Sequence, residues 1–362
     1  MTRDLYILIS APVLSVLIIL GLFLNAKPDG PIRDNSFARN FISDAIERKG
    51  VMDLEYNTYY FAGIQNDKIY LGNVTGYLHV LKTNTSLSDS SHIRIQIALD
   101  TLPEFRRPRV KIYPPYFYLT DGVLPALYRG SIGEWIPRKF MDVKSYFVEA
   151  KIMAPTKLGL KLMRSDIHEY SLAIMDSLPP YFKLKPGLLE KQIDGVFDVD
   201  GQFHYNQKLD RLVYVYYYRN EFFVTDSNLN LETRYRTIDT ISRSRTKSTR
   251  YSSGNSMILA SPPKLVNKLS ASNGKLLYIN SKIMGKNDDE TKFKQASVID
   301  VYDLTRGIYQ FSFYLPGYHN KSAREIRLTD TALIALYDHY IVSYELNPKV
   351  FPNEDFKNIL SR

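Results

Sequence analysis

Six histidines stand along the 362-residue chain: His79, His92, His168, His204, His319 and His339. They are the first place to look for acid–base or metal chemistry. None belongs to a His-Glu-x-x-His pair, the spacing that turns two imidazoles onto one helix face. Each is expected to be a surface histidine or one satisfied in the core. The chain has no cysteine, which removes thiolate metal centres, cysteine nucleophiles and disulfides. A Gly-x-Ser-x-Gly elbow and the glycine-rich phosphate loops are also absent. Asp198-Val199-Asp200-Gly201 opens like a calcium loop, but the later ligands and the closing glutamate are missing, so a tight turn is expected. Asn287-Asp288-Asp289-Glu290 reads as a solvated hairpin tip, with weak calcium binding as the alternative. No catalytic residue, metal ligand or cofactor is therefore assigned.

One charge feature rises above background. Arg234, Arg236, Arg243, Arg245, Lys247 and Arg250 face Asp239 alone over seventeen positions filled in by Ser and Thr. Such a segment cannot bury much apolar surface and is expected as a mobile loop. It is the candidate interaction loop, suited to an acidic partner, phosphate groups or lipid headgroups. A smaller group, Arg106, Arg107, Arg109 and Lys111, surrounds Pro108.

These residues must be positioned by two kinds of element. Leu5 to Leu24 is an uncharged run of about twenty residues, the length of a bilayer-spanning helix. Cleavage after Leu24-Asn25-Ala26 is the competing reading, disfavoured by a bulky residue where a small one is needed. The expected layout is a cytoplasmic tail at 1–4, an anchor at 5–26 and a linker at 27–50. A β-domain at 51–348 and a tail at 349–362 follow. With a short tail inside, the large domain lies outside the cytoplasm. The net charge of +9 then reads first as an unremarkable basic surface, and next as contact with anionic lipid or polysaccharide rather than nucleic acid.

The β-domain repeats. A turn residue followed by an apolar or aromatic strand recurs with Ile69, Phe117, Leu160, Val213, Leu277 and Leu333 as markers, 43 to 64 residues apart. Spacings near this range belong to propeller blades, and six markers give six blades. Leu212 to Tyr218 is apolar or aromatic on both faces, as a strand between two neighbouring blades must be. With 28 Tyr and 18 Phe, rings are expected in the wedges between blades. Thr-Asp at 120–121, 225–226 and 329–330 marks strand exits, where Asp caps the next turn. Asn35–Lys49 reads equally as a short helix around Ile42–Arg48 or as the linker feeding the first strand, and Leu184–Ile193 is a candidate for another turn of helix. A strand near Val51–Tyr60 is expected to complete the last blade beside Tyr337–Leu346.

Asp300-Val301-Tyr302-Asp303-Leu304, then Gly307, Tyr309, Ser312-Phe313 and Leu315-Pro316, resembles a blade motif of the six-bladed, TolB-like or NHL-like propellers of Bacteroidetes. The close match covers one blade, and the looser periodicity covers 56–347. The single Trp135 separates the chain from the tryptophan-docked WD-repeat and quinoprotein propellers. The resemblance implies the fold, a compartment outside the cytoplasm and a binding role, and it carries over no catalytic residue.

The leading expectation is an all-β, six-bladed propeller on a single N-terminal membrane helix. It would be anchored in the inner membrane of a Gram-negative cell and face the periplasm. There it would act as a non-enzymatic binding module for a protein, peptide or glycan. The alternatives are a divalent-metal-dependent, lactonase-like hydrolase and an accessory or sensor subunit of a membrane complex. The lining of the central channel discriminates them. Converging carboxylates and amides favour an enzyme, and an apolar or tyrosine-filled channel favours a scaffold.

Overall fold

In the computed structural model, residues 2–25, 30–65, 67–97, 104–143, 145–250 and 257–352 are described. The chain divides into two units, Met1–Ile32 and Arg33–Arg362. In the first, Thr2–Asn25 forms a helix, α1, with Pro12 inside it. Its described apolar side chains from Val13 to Leu24 are largely exposed, Leu22 and Leu24 at 68% and 73%. Among the described residues, no helix is long and apolar enough to cross a membrane. The helix is thus shown and the span is not.

The second unit is a ring of six four-stranded antiparallel sheets. The six first strands, nearest the axis, are Tyr59–Gln65, Arg109–Tyr113, Phe147–Ala154, Gly201–Asn206, Asn267–Asn273 and Glu325–Leu328, defining blades 1 to 6. The six sequence markers all fall on the second strands, which explains their regularity. A second strand is buried on both faces, so apolar and aromatic residues dominate it. Blade 4 shows the alternation: Leu212, Tyr214 and Tyr216 pack toward blade 3, while Val213 and Val215 pack toward blade 5. Six apolar clusters of this kind fill the six wedges, one between each neighbouring pair of blades. Rings from opposite sides meet there, as Phe222 and Tyr302 do edge-on at 5.6 Å.

The ring closes through the N-terminal segment. Ile46–Asp53 is the outermost strand of blade 6, paired antiparallel with Tyr340–Leu346 from Ile46 opposite Leu346 to Asp53 opposite Tyr340. Closure by an N-terminal strand was expected, but several residues later. The short helix read as one alternative around Ile42–Arg48 does not form, because the open edge of Tyr340–Leu346 offers a full ladder that outweighs weak local helix propensity. The expected domain boundary at 51 falls inside this strand.

The residues before the strand are packed rather than linking. Arg39 is buried, its Nε and Nη2 donating to the Asp300 carboxylate at 2.7 and 3.0 Å and its Nη1 to Asp288. Burial works against the Arg39 charge, and Asp300 and Asp288 outweigh that and raise its pKa. Asn287 locks the Arg39 backbone from both sides at 2.8 Å. Asp289 caps a short helix, α2 (Glu290–Gln295), by accepting from Lys292 N–H. The acidic cluster expected at a solvated tip is therefore a clamp on the N-terminal segment. At the other end Phe351 packs on Tyr278, Phe311 and Phe313, so the expected tail begins inside the core. Residues 353–362 of that tail lie outside the described residues.

Leu184–Ile193 holds no helix among the described residues. After the strand Phe182–Lys185 the chain is irregular, ordered by Asp198. The Asp198 carboxylate accepts from the backbone N–H groups of Gln192, Ile193, Asp194 and Gly195 at 2.5 to 3.2 Å. Gly195 turns through φ +71°, a conformation that costs glycine nothing. The calcium-like motif is thus a turn. Asp121 and Asp226 also cap as expected, each accepting from backbone N–H groups of the turn that follows.

Candidate functional site

The first strands run beside the ring axis, and in blades 3 to 6 they carry polar residues two positions apart. A period of two puts such pairs on one side of a strand. Glu149 and Lys151, Gln202 and His204, Ser270 and Ser272, Glu325 and Arg327 are brought together in this way, and Lys111 joins from blade 2. The axial cavity holds about 580 Å³ and shares Lys151, His204 and Arg327 with a deeper pocket of about 180 Å³. Its mouth is edged by Gln65, Pro114, Gln207, Lys208 and Asn273, at the ends of first strands and in the turns after them.

Cations outnumber carboxylates here. Lys111, Lys151, Lys208 and Arg327 line the two pockets against Glu149 and Glu325. Lys151 Nζ pairs with Glu149 at 2.7 Å. Glu325 lies 3.6 Å from Arg324 and 3.8 Å from Arg327. At the mouth Asp330 accepts from Lys208 at 2.5 Å and from Asn273 at 2.8 Å. This third strand-exit aspartate therefore joins the turns of blades 4, 5 and 6.

The surroundings shift the titrating groups in opposite directions. Burial pushes Lys111 down to about 8, with repulsion from Lys151 and Arg327 adding to it and Glu149 and Glu325 opposing. Burial pushes Glu149 up, but Lys151, Lys161 and Lys111 prevail and hold it at about 2. Burial, together with Lys151 and Arg327, takes His204 to about 3, so it is neutral at pH 7. Its Nε2 lies 2.7 Å from Ser270 Oγ, and the Ser270 hydroxyl donates onward to Gln202 Oε1 at 2.6 Å. Which of the two donates in the His204–Ser270 contact depends on the histidine tautomer.

The expectation about the channel is answered by a third kind of lining. Amides and carboxylates do converge, but among the described residues no group of three His, Asp or Glu side chains is placed to hold a metal ion. The wall is neither apolar nor tyrosine-filled. It is a cationic, hydrogen-bonding cavity.

The basic segment is dispersed differently from the loop expected. Arg234 and Arg236 lie on Leu231–Arg236, the outer strand of blade 4. Arg234 is anchored, with its Nη1 2.9 Å from Glu221, its Nε 3.0 Å from Glu190 and its Nη2 donating to Leu188 O at 2.7 Å. Arg243, Arg245 and Lys247 are exposed, while Ser244 and Thr246 between them are buried. Arg250 ends the strand Ser248–Arg250 of a small hairpin. The segment is pinned at its centre, where Thr240 donates its N–H and hydroxyl to Asp34 at 3.1 and 2.8 Å.

Sequence reasoning singled out Lys111 and missed its companions. The signal was present as charged or polar residues alternating with apolar ones in the strands just before the markers of blades 2 to 6.

No family model matches the chain, and no curated protein matches it. Among solved structures it is similar to a member of the DUF4221 family from Bacteroides vulgatus, with TM-score 0.53, 14% identity, and 86% of this chain and 99% of that one covered. It is more distantly similar to a catalytically inactive virginiamycin B lyase from Staphylococcus aureus, with TM-score 0.43, 8% identity, and 85% and 98% covered. The first likeness speaks for the fold alone, and it is the Bacteroides propeller fold that the blade motif implied.

Proposed function

We propose that this chain is a membrane-tethered, non-enzymatic binding module that takes a small ligand into its axial channel. The observation that carries the reading is the channel itself, a cavity of about 580 Å³ lined by residues of all six first strands. Its size suits a small-molecule site.

In this reading α1 anchors the chain in the inner membrane and the propeller faces the periplasm. Eight residue steps separate Asn25 from Arg33, a reach of about 30 Å at most. The chain then enters the ring at Asp34, bonded to Thr240 between Arg236 and Arg243. Exposed Arg236, Arg243, Arg245 and Lys247 flank the point where the chain enters the ring, and they suit anionic headgroups at about 1 kcal/mol per charge. Thr240 follows the last strand of blade 4, whereas the channel mouth lies at the turns after first strands. In antiparallel four-stranded blades those connections fall at opposite ends. The mouth therefore lies at the end of the ring opposite Thr240 and Asp34.

The test uses the full chain in detergent, melted against EDTA, divalent metals, a neutral trisaccharide, a tripeptide, citrate and phosphate. A ligand at about 100 times its dissociation constant adds roughly 2.7 kcal/mol. Carbonate-resistant membrane association and periplasmic protease accessibility test the tether. A melt unmoved by every compound, or turnover of a metal-dependent lactone substrate, sinks the reading.

A further inference from the structure

We propose that the axial channel is an oxyanion site, built for a small organic carboxylate or phosphate held between Lys111 and Lys151 on one wall and Arg327 on the facing one. This rests on the channel being the module's binding site.

Blades 3 and 6 stand opposite each other in a six-membered ring, and blade 2 adjoins blade 3. Cations from blades 2, 3 and 6 therefore reach the axis from facing directions, a geometry that closes around a compact anion. The chain's own carboxylates do not meet the demand. Glu149 is taken by Lys151, and Glu325 lies between Arg324 and Arg327. Lys111 forms no hydrogen bond or ion pair with any described residue, although it stands within the electrostatic reach of both glutamates. An ammonium drawn into protein without a partner is costly, and a site that keeps one has a use for it.

A second observation is independent of charge. The hydroxyl of Ser272, on the channel wall, is shielded from solvent and has no hydrogen-bond partner. Buried hydroxyls are ordinarily satisfied. Ser272 supplies the neutral donor that, beside Lys111 and Arg327, would complete the coordination of an oxyanion.

The chemistry shared by carboxylates and phosphates is a compact group of charged oxygens, and two probes separate the sources. The full-length protein in detergent is titrated calorimetrically at low salt with citrate and with inorganic phosphate, with glycerol as neutral control. One or both anions should bind saturably at one site. Tighter citrate identifies a carboxylate ligand and tighter phosphate a phosphoryl one. Lys111→Met and Arg327→Gln should each weaken binding at least tenfold, whereas Arg243→Gln, on the basic surface segment, should leave it unchanged. Ser272→Ala removes only a hydroxyl and should weaken binding about threefold, which keeps the test informative if a charge variant folds poorly. Anion binding at pH 8 should take up a proton, read as a dependence of the heat on the ionisation enthalpy of the buffer. Equal losses from Arg243→Gln and Lys111→Met would reduce the effect to surface charge and overturn the site. Silence with both anions while the neutral trisaccharide raises the melting temperature would leave the channel a binding site and sink the anion assignment alone.

Discussion

Two of the cations drawn into the protein are treated in opposite ways. Arg39, in the N-terminal segment, is wholly inaccessible, and two carboxylates of blade 5 close on it. Lys111, in the channel, is ringed by protein with more cations than carboxylates around it. The first arrangement has every countercharge supplied by the chain, and it acts as a staple. The second leaves a demand that the chain does not meet, which is how a binding site differs from a joint. Burial alone does not distinguish them, and the inventory of partners does.

The largest effect should come from removing the staple with the strand it positions. A chain beginning at residue 54 leaves the edge of Tyr340–Leu346 open and should show no cooperative thermal transition. A normal melt would mean that the ring closes by some other pairing. Next is Arg39→Met, which strands Asp288 and Asp300 in the interior and should cost about 3–5 kcal/mol by denaturant titration. Adding Asp288→Asn and Asp300→Asn should recover much of it. A loss below about 1 kcal/mol would mean that the clamp is ornamental.

Lys111→Met should act in the other direction, raising stability by about 1 kcal/mol because it removes a charge without a partner. A fall of similar size would erase the contrast. Acidity gives the sharper version. The unfolded lysine holds its proton up to 10.5, while folded Lys111 releases it at about 8. Between these values unfolding takes up a proton, so the wild type gains stability as pH rises from 8 to 10.5. The advantage of Lys111→Met should shrink over that window and persist below pH 8. Smallest of all, Arg243→Gln with Arg245→Gln should change stability by under about 0.5 kcal/mol. The same pair should measurably weaken the pelleting of the full chain with anionic vesicles, and undiminished pelleting would remove the lipid-facing role of the segment.

What could be read from the residues follows from how strictly each place constrains them. Second strands sit between blades, so Val213 and Leu277 had to be apolar and their recurrence counted the blades. Ile46–Asp53 has alternating, mostly exposed residues and one bonded edge, and nothing in IERKGVMD separates a lone outer strand from a helix or a linker. The Arg39 clamp joins residues about 250 to 260 apart, a distance at which no local pattern survives. The channel was half legible. Lys111 stood in a visible basic cluster, but convergence with Lys151, His204 and Arg327 is a property of the closed ring. The basic segment misled because composition suggested a free loop, while Asp34 and Glu221 pin it.

Ring closure also sets an order of events during synthesis. Within the ring the strand Ile46–Asp53 is made before the other strands of the six sheets, and its partner Tyr340–Leu346 after them, about 290 to 300 residues later. Until that partner leaves the ribosome, an early strand waits unpaired while five complete blades assemble beside it. Such a nascent chain displays bare strand edges for most of its translation. Its vulnerable period is therefore set by the length of its message, and a truncated product would be recognisable to quality control as an open ring.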